Sequence, residues 1–229
     1  VFNAAPNATP DDTIVVPTAQ HTPNANTKLL IHGGEAYTGP LTGETTAPCY
    51  VLDGTADCEL TIPDHADFDF PNGGDFTFEF FIRVPAIGGA EDWIYSHYED
   101  DYNNITLRIL SSGAFVWKVE ESASVIVTIT SNAAVTANTW HHVAVVRSTD
   151  TYYIWIDGVD QTASGSPDST TPATSTANIR IGSRISTGGW FTGYLNEYRI
   201  SDTARYTTGF TPTTTQFVSD GNTLLLIHG

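Results

Sequence analysis

The sequence predicts an all-β fold in which two antiparallel sheets pack face to face as a sandwich. From residue 27 onward, apolar stretches of about five to ten residues alternate with clusters of Gly, Pro, Asp and Asn, as strands alternate with turns. The 3.6-residue periodicity of amphipathic helices is almost absent. Hydrophobic residues make up 40% of the 229 residues and aromatic residues 11%, which is enough to fill the core of one large sandwich domain.

The first 26 residues differ from the rest of the chain. They are rich in Ala, Asn, Pro and Thr, and within them only residues 13–16 (TIVV) have the composition of a strand. This predicts an extended arm over residues 1–26 and a single domain over residues 27–229. An extended segment with one short apolar strand can add to the sheet of a neighbour. We therefore expect the arm to mediate assembly with copies of this chain or with other proteins of a particle or surface.

Residues 75–84 (DFTFEFFIRV) show the clearest strand pattern, because apolar residues alternate with Thr, Glu and Arg apart from one extra Phe. Residues 140–147 and 152–156 predict a hairpin that is followed by an Asp-Gly turn. One helical turn is predicted over residues 201–206, with Ser201 as its N-cap. Further strands are predicted at residues 104–110, 114–119, 125–130, 179–182 and 191–200.

Residues 27–33 (TKLLIHG) recur almost unchanged as residues 223–229 (TLLLIHG), with six of seven positions identical. Two interpretations are open. In the first, both segments are strands of one domain and lie near each other, because the termini of a domain often meet. In the second, the later segment also opens a further copy of the domain. The two interpretations are compatible, and we favour the first.

Cys49 and Cys58 flank Asp53-Gly54, a dipeptide that favours two-residue hairpin turns. A turn there would place the two cysteines directly opposite each other at a non-hydrogen-bonded pair, which suits a cross-strand disulfide. The sequence therefore predicts this bridge and an oxidising final location. The alternative is two buried thiols. Zinc is excluded, because two cysteines without a His at zinc spacing do not provide four ligands.

The chain is strongly acidic, with 9 Lys and Arg residues against 26 Asp and Glu residues and a formal charge of −17. This charge repels phosphate backbones, so we do not expect nucleic-acid binding. It supplies many hard oxygen ligands, which makes Ca²⁺ the predicted cofactor. No segment approaches the ~20 consecutive apolar residues of a transmembrane helix, so no membrane span is expected.

Short motifs follow one another at residues 51–57, 60–64, 68–70, 75–80, 140–147, 156–158, 181–183, 191–201, 204–206 and 210–212. In their residues and in their order along the chain, these motifs resemble the laminin-G-like domains of the concanavalin A-like superfamily. The resemblance covers residues 27–229 and implies a jelly-roll topology for the sandwich. Similar copies occur in tailed-phage virion proteins and large bacterial surface proteins. The resemblance therefore implies an extracellular location, on a virion or cell surface.

The resemblance also implies a place for calcium. Related jelly rolls gather oxygen ligands at the positions of Asp53, Asp57, Asn196 and Glu197, although Asn196 replaces the more usual acidic residue. The alternative is that Asp53 is a turn residue and that Glu197 is a hydrogen-bonded structural carboxylate.

Residues 92–104 (DWIYSHYEDDYNN) combine aromatic rings, which stack on sugars, with carboxylates and amides, which bind hydroxyl groups or calcium. The loop after Tyr98 is the first candidate site. The alternative is a solvated acidic turn whose aromatic residues point inward. Trp190 follows two glycines and is either a stacking platform or a lid on the core. The candidate ligand-binding residues are Trp93, His97, Tyr98, Asp100, Asp101, Tyr102, Asn103 and Trp190.

Glucanases of this superfamily carry their catalytic carboxylates on one strand, in a Glu-x-Asp-x-x-Glu motif that places them on one face. The nearest match is residues 99–104 (EDDYNN), in which Asn104 occupies the place of the acid/base carboxylate. An amide has no proton to donate at neutral pH. The sequence therefore predicts that the protein is not an enzyme.

Three functional hypotheses follow. The first is a non-catalytic structural or decorating module of a virion or cell surface, which assembles through its arm and contacts carbohydrate. The second is a free-standing, calcium-assisted lectin or adhesin that binds glycans. The third is a divergent glycoside hydrolase.

Overall fold

The computed structural model of the chain describes residues 29–32, 35–37, 47–55, 58–69, 74–163, 175–185 and 188–228. The predicted arm, residues 1–26, and the candidate calcium ligand Asp57 lie outside these residues. The described structure consists of fifteen β-strands and one short 3-10 helix, Ala66–Phe68, which confirms the all-β prediction. Within these residues, no helix has the length and apolar character that crossing a membrane requires.

The strands are numbered in chain order. They are β1 (Leu29–His32), β2 (Glu35–Tyr37), β3 (Ala47–Asp53), β4 (Leu60–Ile62), β5 (Phe76–Arg83), β6 (Asp92–Asp100), β7 (Asn103–Ile109), β8 (Phe115–Glu121), β9 (Ser124–Thr130), β10 (Trp140–Ser148), β11 (Thr151–Ile156), β12 (Val159–Asp160), β13 (Ile179–Ile181), β14 (Thr192–Ser201) and β15 (Thr223–His228).

The described strands form two sheets, one of nine strands and one of six. The six-stranded sheet has the order β4-β13-β6-β7-β8-β9, and the nine-stranded sheet has the order β1-β15-β14-β5-β10-β11-β12, with β3 beside β14 and β2 beside β3. β14 is long enough to pair with β3 along its first half and with β15 along its second half. The predicted sandwich of two antiparallel sheets is therefore confirmed.

The core lies between the two sheets and is rich in aromatic rings. Phe76 and Phe78 alternate along β5 with residues of the other face, as a strand pattern requires. The ring of Phe78 packs against Tyr95 and Trp117 of the opposite sheet, with centroids 4.7 Å and 4.9 Å apart. Tilted and edge-to-face contacts at these distances stabilise aromatic cores beyond the burial of their area.

The other face of β5 is also covered. Thr77, Glu79 and Phe81 point away from the core, yet all three are buried. The chain between β14 and β15, residues 202–222, packs over this face, and Phe217 from it contacts Phe81. We call residues 202–222 the cover segment. The outer face of the nine-stranded sheet is therefore part of the protein interior at β5.

The hairpin predicted around Asp53 does not form. β3 pairs with β2 and β14 instead, so Cys49 lies opposite Glu35 in the ladder. Cys58 lies in a turn, where its N–H donates to the Thr55 carbonyl at 3.2 Å. The two sulfurs are not bonded to each other. The pairing that predicted a disulfide is absent, because residues 50–53 of β3 pair with residues 192–195 of β14 instead.

The helical turn predicted over residues 201–206 is also wrong. Ser201 is the last residue of β14, and the residues after it are not helical. Thr77 of β5 explains the difference, since its hydroxyl donates to the Thr203 carbonyl at 2.7 Å and accepts from the Arg205 N–H at 2.9 Å. Backbone groups that a helix would pair internally are bound by the sheet instead.

The repeated segment forms two neighbouring strands. β1 and β15 pair in parallel, and the ladder runs from Leu29 opposite Leu225 to His32 opposite His228. This confirms the first interpretation of the repeat, in which both segments belong to one domain.

Candidate functional site

An open cleft of about 330 Å³ lies on the outer face of the six-stranded sheet. Its floor comes from β7 and β8, where polar side chains alternate with the core residues of the same strands. One wall comes from β6 and from the chain that follows β13. The residues that line the cleft are Trp93, Tyr98, Asp101, Asn104, Thr106, Arg108, Lys118, Glu120 and Arg184.

A group of planar side chains forms one end of the cleft. The Arg184 guanidinium lies over the Tyr98 ring, 4.7 Å from its centroid, and over the Trp93 ring, 5.6 Å from its centroid. Arg184 Nη2 donates to Tyr98 Oη at 2.9 Å and to Asp101 Oδ1 at 2.6 Å. The Tyr98 hydroxyl in turn donates to Asp101. These contacts hold two aromatic rings and a guanidinium together at the surface.

The protonation of this group follows from its contacts. Burial, followed by the hydrogen bond to Asp101, raises the pKa of Tyr98 above its ordinary value. The hydrogen bond from Tyr98 lowers the pKa of Asp101. At neutral pH the cleft therefore presents a phenol, a carboxylate and a guanidinium in fixed positions.

The chain after β13 is tied closely to β6. Ser96 Oγ lies 2.9 Å from the Ser183 carbonyl oxygen and 2.6 Å from that of Arg184. Gly189 has a φ of +71° and packs on Trp93, so that an added Cβ would lie 2.8 Å from Trp93 Cε3. Glycine is needed here for both the left-handed conformation and the close approach. The position of Arg184 in the cleft is thus set by backbone contacts.

The floor of the cleft carries hydrogen-bonded charged and amide groups. Glu120 Oε2 accepts from Asn104 Nδ2 at 3.0 Å, and its Oε1 lies 2.7 Å from Lys118 Nζ. Although burial acts to raise it, the hydrogen bonds from Lys118 and Asn104 lower the pKa of Glu120 overall. Arg108 pairs with Glu91 at 2.9 Å. Each cation of the floor is therefore matched by a nearby carboxylate.

This arrangement suits a ligand that has an apolar face and several hydroxyl groups. Planar side chains offer a surface for stacking, and paired donors and acceptors can bind vicinal hydroxyls. The cleft contains three cationic and two acidic lining residues, whereas the chain as a whole has a formal charge of −17. The cleft is therefore close to neutral within an acidic protein.

Three of the predicted ligand-binding residues, Trp93, Tyr98 and Asp101, line the cleft. Asp100 and Asn103 instead hold the β6–β7 turn: Asp100 Oδ1 accepts from the Tyr102 N–H at 2.7 Å and from Asn103 Nδ2 at 3.1 Å. The Tyr102 side chain is 60% exposed on this turn. These three residues lie at the turn between β6 and β7 and do not line the cleft.

His97 and Trp190 lie elsewhere. His97 is fully buried, 3.4 Å from Asp64 Oδ1, and burial lowers its pKa. A register shift between Trp93 and Tyr95 explains its direction, because a bulge moves the residues after it to the other face. Trp190 is half-buried and lies outside the cleft lining.

Six lining residues were not predicted from the sequence. For those on β7 and β8, the alternation of polar and apolar residues was available as a signal, since the polar face of a strand in a two-sheet sandwich is the outer face. Arg184 had no such signal, because it reaches Tyr98 from 86 positions further along the chain. The six are Asn104, Thr106, Arg108, Lys118, Glu120 and Arg184.

The described members of the predicted calcium set are not brought together. Asp53 pairs with Thr192 in the ladder, so it lies four residues, or about 13 Å, from Asn196 along β14. Both Glu197 carboxylate oxygens are engaged, since Oε2 accepts from the Phe217 N–H at 2.7 Å and Oε1 lies 2.7 Å from His228 Nδ1. Among the residues that the structure describes, no three or more His, Cys, Asp or Glu side chains form a group that could hold a metal.

Asp53 and Glu197 therefore follow the alternative interpretation. Asp53 Oδ1 accepts from the Thr55 N–H at 2.9 Å and acts as a turn residue. Glu197 is fully buried at a bulge in β14, with a φ of 50°. It is a structural carboxylate that joins β14 to β15 and to the cover segment.

The nearest match to the glucanase motif does not lie on one strand. β6 ends at Asp100 and β7 begins at Asn103, so residues 99–104 span the turn between them. Residues on the two sides of this turn therefore do not share the face of a single strand, as the glucanase motif requires.

Comparison with known proteins identifies the family. The model of the Laminin_G_3 family, described as concanavalin A-like lectin/glucanases superfamily, matches residues 53–208. This chain belongs to that family. The match spans more than half of the chain and includes every element that forms the cleft. No curated protein matches the chain.

Solved structures share the fold of this Laminin_G_3 domain at low sequence identity. The binding domain of Paraclostridial Mosquitocidal Protein 1 is 14% identical over 74% of this chain and 44% of its own, with a TM-score of 0.56. The Botulinum neurotoxin serotype G binding domain is 13% identical over 74% of this chain and 47% of its own, with a TM-score of 0.52. The chain thus spans less than half of each toxin chain.

A third structure is similar over most of both chains. Domain 4 of AbnA, a GH43 extracellular arabinanase from Geobacillus stearothermophilus, was solved in complex with arabinotriose. It is 17% identical over 75% of this chain and 77% of its own, with a TM-score of 0.50. At such identities the likeness establishes the fold.

Proposed function

We propose that this protein is a non-catalytic carbohydrate-binding module and that the cleft on the six-stranded sheet holds the glycan. One observation carries the proposal: Trp93, Tyr98 and Arg184 pack together at one end of a cleft whose floor is lined by paired hydrogen-bonding groups. The C–H face of a sugar ring packs on planar groups, while its hydroxyls need donors and acceptors at fixed positions.

The charge balance supports a neutral glycan. The cations of the cleft are already paired with carboxylates at 2.6–2.9 Å, so a second anion would compete with an existing partner. An acidic polymer would also meet the net charge of −17 as it approached. Hydroxyl groups can join the existing pairs without displacing a charge.

The family and its fold also support this function. The family description includes lectins, and the AbnA domain of the same fold was solved with a bound oligosaccharide. One fold hosts many functions, so this support is by analogy, whereas the cleft itself is the physical argument. With a polysaccharide as ligand, the location that we propose is outside a cell or on the surface of a particle.

A structural or decorating role on a virion or cell surface is the wider setting that we propose for this binding. The predicted arm precedes β1 in the sequence, and β1 stands at the end of its path through the nine-stranded sheet. Edges of sheets are where strands of a neighbour add. Calcium assistance stays part of the proposal, although the described members of the predicted ligand set, Asp53, Asn196 and Glu197, do not come together to form its site.

The test is calorimetric titration of the protein with a panel of soluble neutral polysaccharides and oligosaccharides, including arabino-oligosaccharides, in calcium and in a chelator. We expect binding to at least one of them. Trp93→Ala and Tyr98→Ala should each lower the affinity about tenfold, which corresponds to about 1.4 kcal/mol of lost stacking and hydrogen bonding. Weaker binding in chelator would support the role of calcium.

The matched control is Tyr102→Ala, which removes a 60% exposed ring from the adjacent turn without touching the cleft lining. Its affinity should be unchanged, and the melting temperatures of all variants should confirm folding. A panel without any binding, or equal losses for Tyr102→Ala and Tyr98→Ala, would overturn the proposal.

A further inference from the structure

The two copies of the repeated segment lie side by side in the structure, in register. Residues 27–33 and 223–229 are identical at six of seven positions. β1 and β15 pair so that Leu29, Leu30, Ile31 and His32 each stand opposite the same residue type, at Leu225, Leu226, Ile227 and His228. The strand that pairs with residues 225–228 of β15 therefore has the same four-residue sequence as they do.

This pair differs from every other strand pair among the described residues, because it is parallel and all the others are antiparallel. No turn joins β1 to β15, since they come from opposite ends of the chain. β1 is also the last strand on its path through the nine-stranded sheet, with β15 as its neighbour. The place of β1 beside β15 is thus set by backbone pairing, without a turn between the two strands.

The edge that β1 covers is strongly apolar. All six residues of β15 are buried. Leu225 and Ile227 point into the core, and Leu226 packs with Phe81 and Phe217 on the opposite face. A strand that is apolar on both faces and lacks a partner is a template for strand addition. Without β1, the backbone groups along this edge of β15 would be open to another strand.

We propose that this edge is a self-assembly site at which β1 of one copy of the chain pairs with β15 of a second copy. The exchanged strand forms the same ladder with the same residues in the second copy as in its own. Exchange of an identical element between copies is a low-cost route to oligomers, because the bonds made equal the bonds lost. The partner is therefore a second copy of this chain, and the surface is the outer edge of β15.

The sequence provides enough length for this exchange. Nine residues, 38–46, separate β2 from β3, and an extended stretch of that length spans about 30 Å. Measured along the chain, this length is enough for β1 and β2 of one copy to reach a second copy. Residues 1–28 precede β1, so an exchange of β1 would also bring the predicted arm to the second copy.

The test uses two full-length chains in a background in which Cys49→Ala and Cys58→Ala remove the native thiols. One chain carries Leu30→Cys and the other carries Leu226→Cys, positions that are directly opposite in the ladder. Neighbouring strands lie about 4.8 Å apart, within the Cα separation that a disulfide can bridge. The chains are mixed at high concentration, oxidised, and analysed by non-reducing electrophoresis, while light scattering measures the mass of the native chain.

We expect a mass that rises from one chain toward two with concentration, and a mixed disulfide-linked dimer that contains one chain of each kind. A single chain carrying both substitutions should close its bridge internally when dilute, which verifies the register and the folding of the variants. A third chain with Leu29→Cys, one position out of register, should cross-link poorly to Leu226→Cys.

Two results would overturn the proposal. One is a mass of a single chain at every concentration, with cross-links formed only within the doubly substituted chain. The other is a dimer in which the mixed cross-link does not form, since the chains would then associate through a different surface. Neither result bears on the glycan cleft, which is formed by the other sheet.

Discussion

The outer faces of the two sheets carry similar chemical groups in opposite environments. On the nine-stranded sheet, Glu79 and Arg199 are buried beneath the cover segment, residues 202–222. On the six-stranded sheet, Lys118 and Glu120 form an ion pair that remains partly exposed in the cleft. The comparison shows that position under or outside the cover segment, rather than residue type, decides whether a charged group supports folding or is available to a ligand.

The buried face forms a closed network around Glu79. Arg199 Nε donates to Glu79 Oε1 at 2.7 Å, while Tyr206 Oη donates to Glu79 Oε2 at 2.7 Å and His142 Nε2 lies 3.2 Å from that same oxygen. Tyr206 belongs to the cover segment, and its ring stacks on Phe210 with centroids 3.6 Å apart. The carboxylate thus links β5, β10 and β14 to the cover segment.

The largest expected effect comes from breaking the buried network. Glu79→Gln keeps the size of the side chain but leaves the Arg199 charge without its partner, so we expect the free energy of unfolding to fall by about 3–5 kcal/mol. Urea denaturation followed by tryptophan fluorescence measures this loss. The matched variant Glu120→Gln breaks the partly exposed pair of the cleft and should cost less than about 1 kcal/mol. Equal losses for the two variants would refute the distinction between the faces.

Acid should weaken the same network. Although burial acts to raise it, the contacts with His142, Arg199 and Tyr206 lower the pKa of Glu79 below its ordinary value of 4.5. The unfolded chain therefore takes up this proton at a higher pH than the native protein, and the stability that Glu79 contributes is present above pH 4.5 and is lost as the pH falls through the native pKa.

The measurement is the difference in unfolding free energy between the native chain and Glu79→Gln, followed from pH 7 into acid. We expect the difference to be constant near neutrality and to narrow below about pH 4.5. If the difference in unfolding free energy did not change with pH in the acid range, the pKa of Glu79 would not be lowered in the native protein, and the prediction would be wrong.

Two tyrosines differ between the two faces in the same way, and the expected effects are smaller. Tyr206 and Tyr98 both donate a hydroxyl to a carboxylate, one beneath the cover segment and one at the cleft. Tyr206→Phe should lower the unfolding free energy by about 1.5–3 kcal/mol, as expected for a lost bond to a charged group. Tyr98→Phe should leave the melting temperature unchanged but weaken glycan binding several-fold. The opposite pattern would assign the structural role to Tyr98.

Much of the fold could be predicted from the sequence. The alternation in residues 75–84 predicts the strand found at Phe76–Arg83, and the pattern at residues 140–156 predicts the hairpin of β10 and β11. Period-two alternation is a local property, so a strand can be identified without knowing its partner. The same rule does not identify the partner, which is why the hairpin expected between Cys49 and Cys58 was wrong.

The candidate site was predicted in part for a related reason. Trp93, Tyr98 and Asp101 lie within one chemically rich stretch and were found from it. His97 belongs to the same stretch, but the bulge in β6 turns it inward toward Asp64. Arg184 completes the planar group from a distant part of the chain. The residue pattern of one short stretch of sequence indicates neither the bulge in β6 nor the approach of Arg184 from elsewhere in the chain.

From the sequence alone came the all-β sandwich, strands such as Phe76–Arg83, and a preference for placing the two nearly identical segments near each other. The tertiary structure decided which strands pair, that Glu79 and Glu197 are enclosed by the cover segment, and that the outer face of the six-stranded sheet remains open. The two kinds of property differ in how far apart along the chain the interacting residues lie. Side-chain alternation reflects the backbone geometry of a single strand, whereas pairing, bulges and burial depend on hydrogen bonds and packing between segments far apart in the chain.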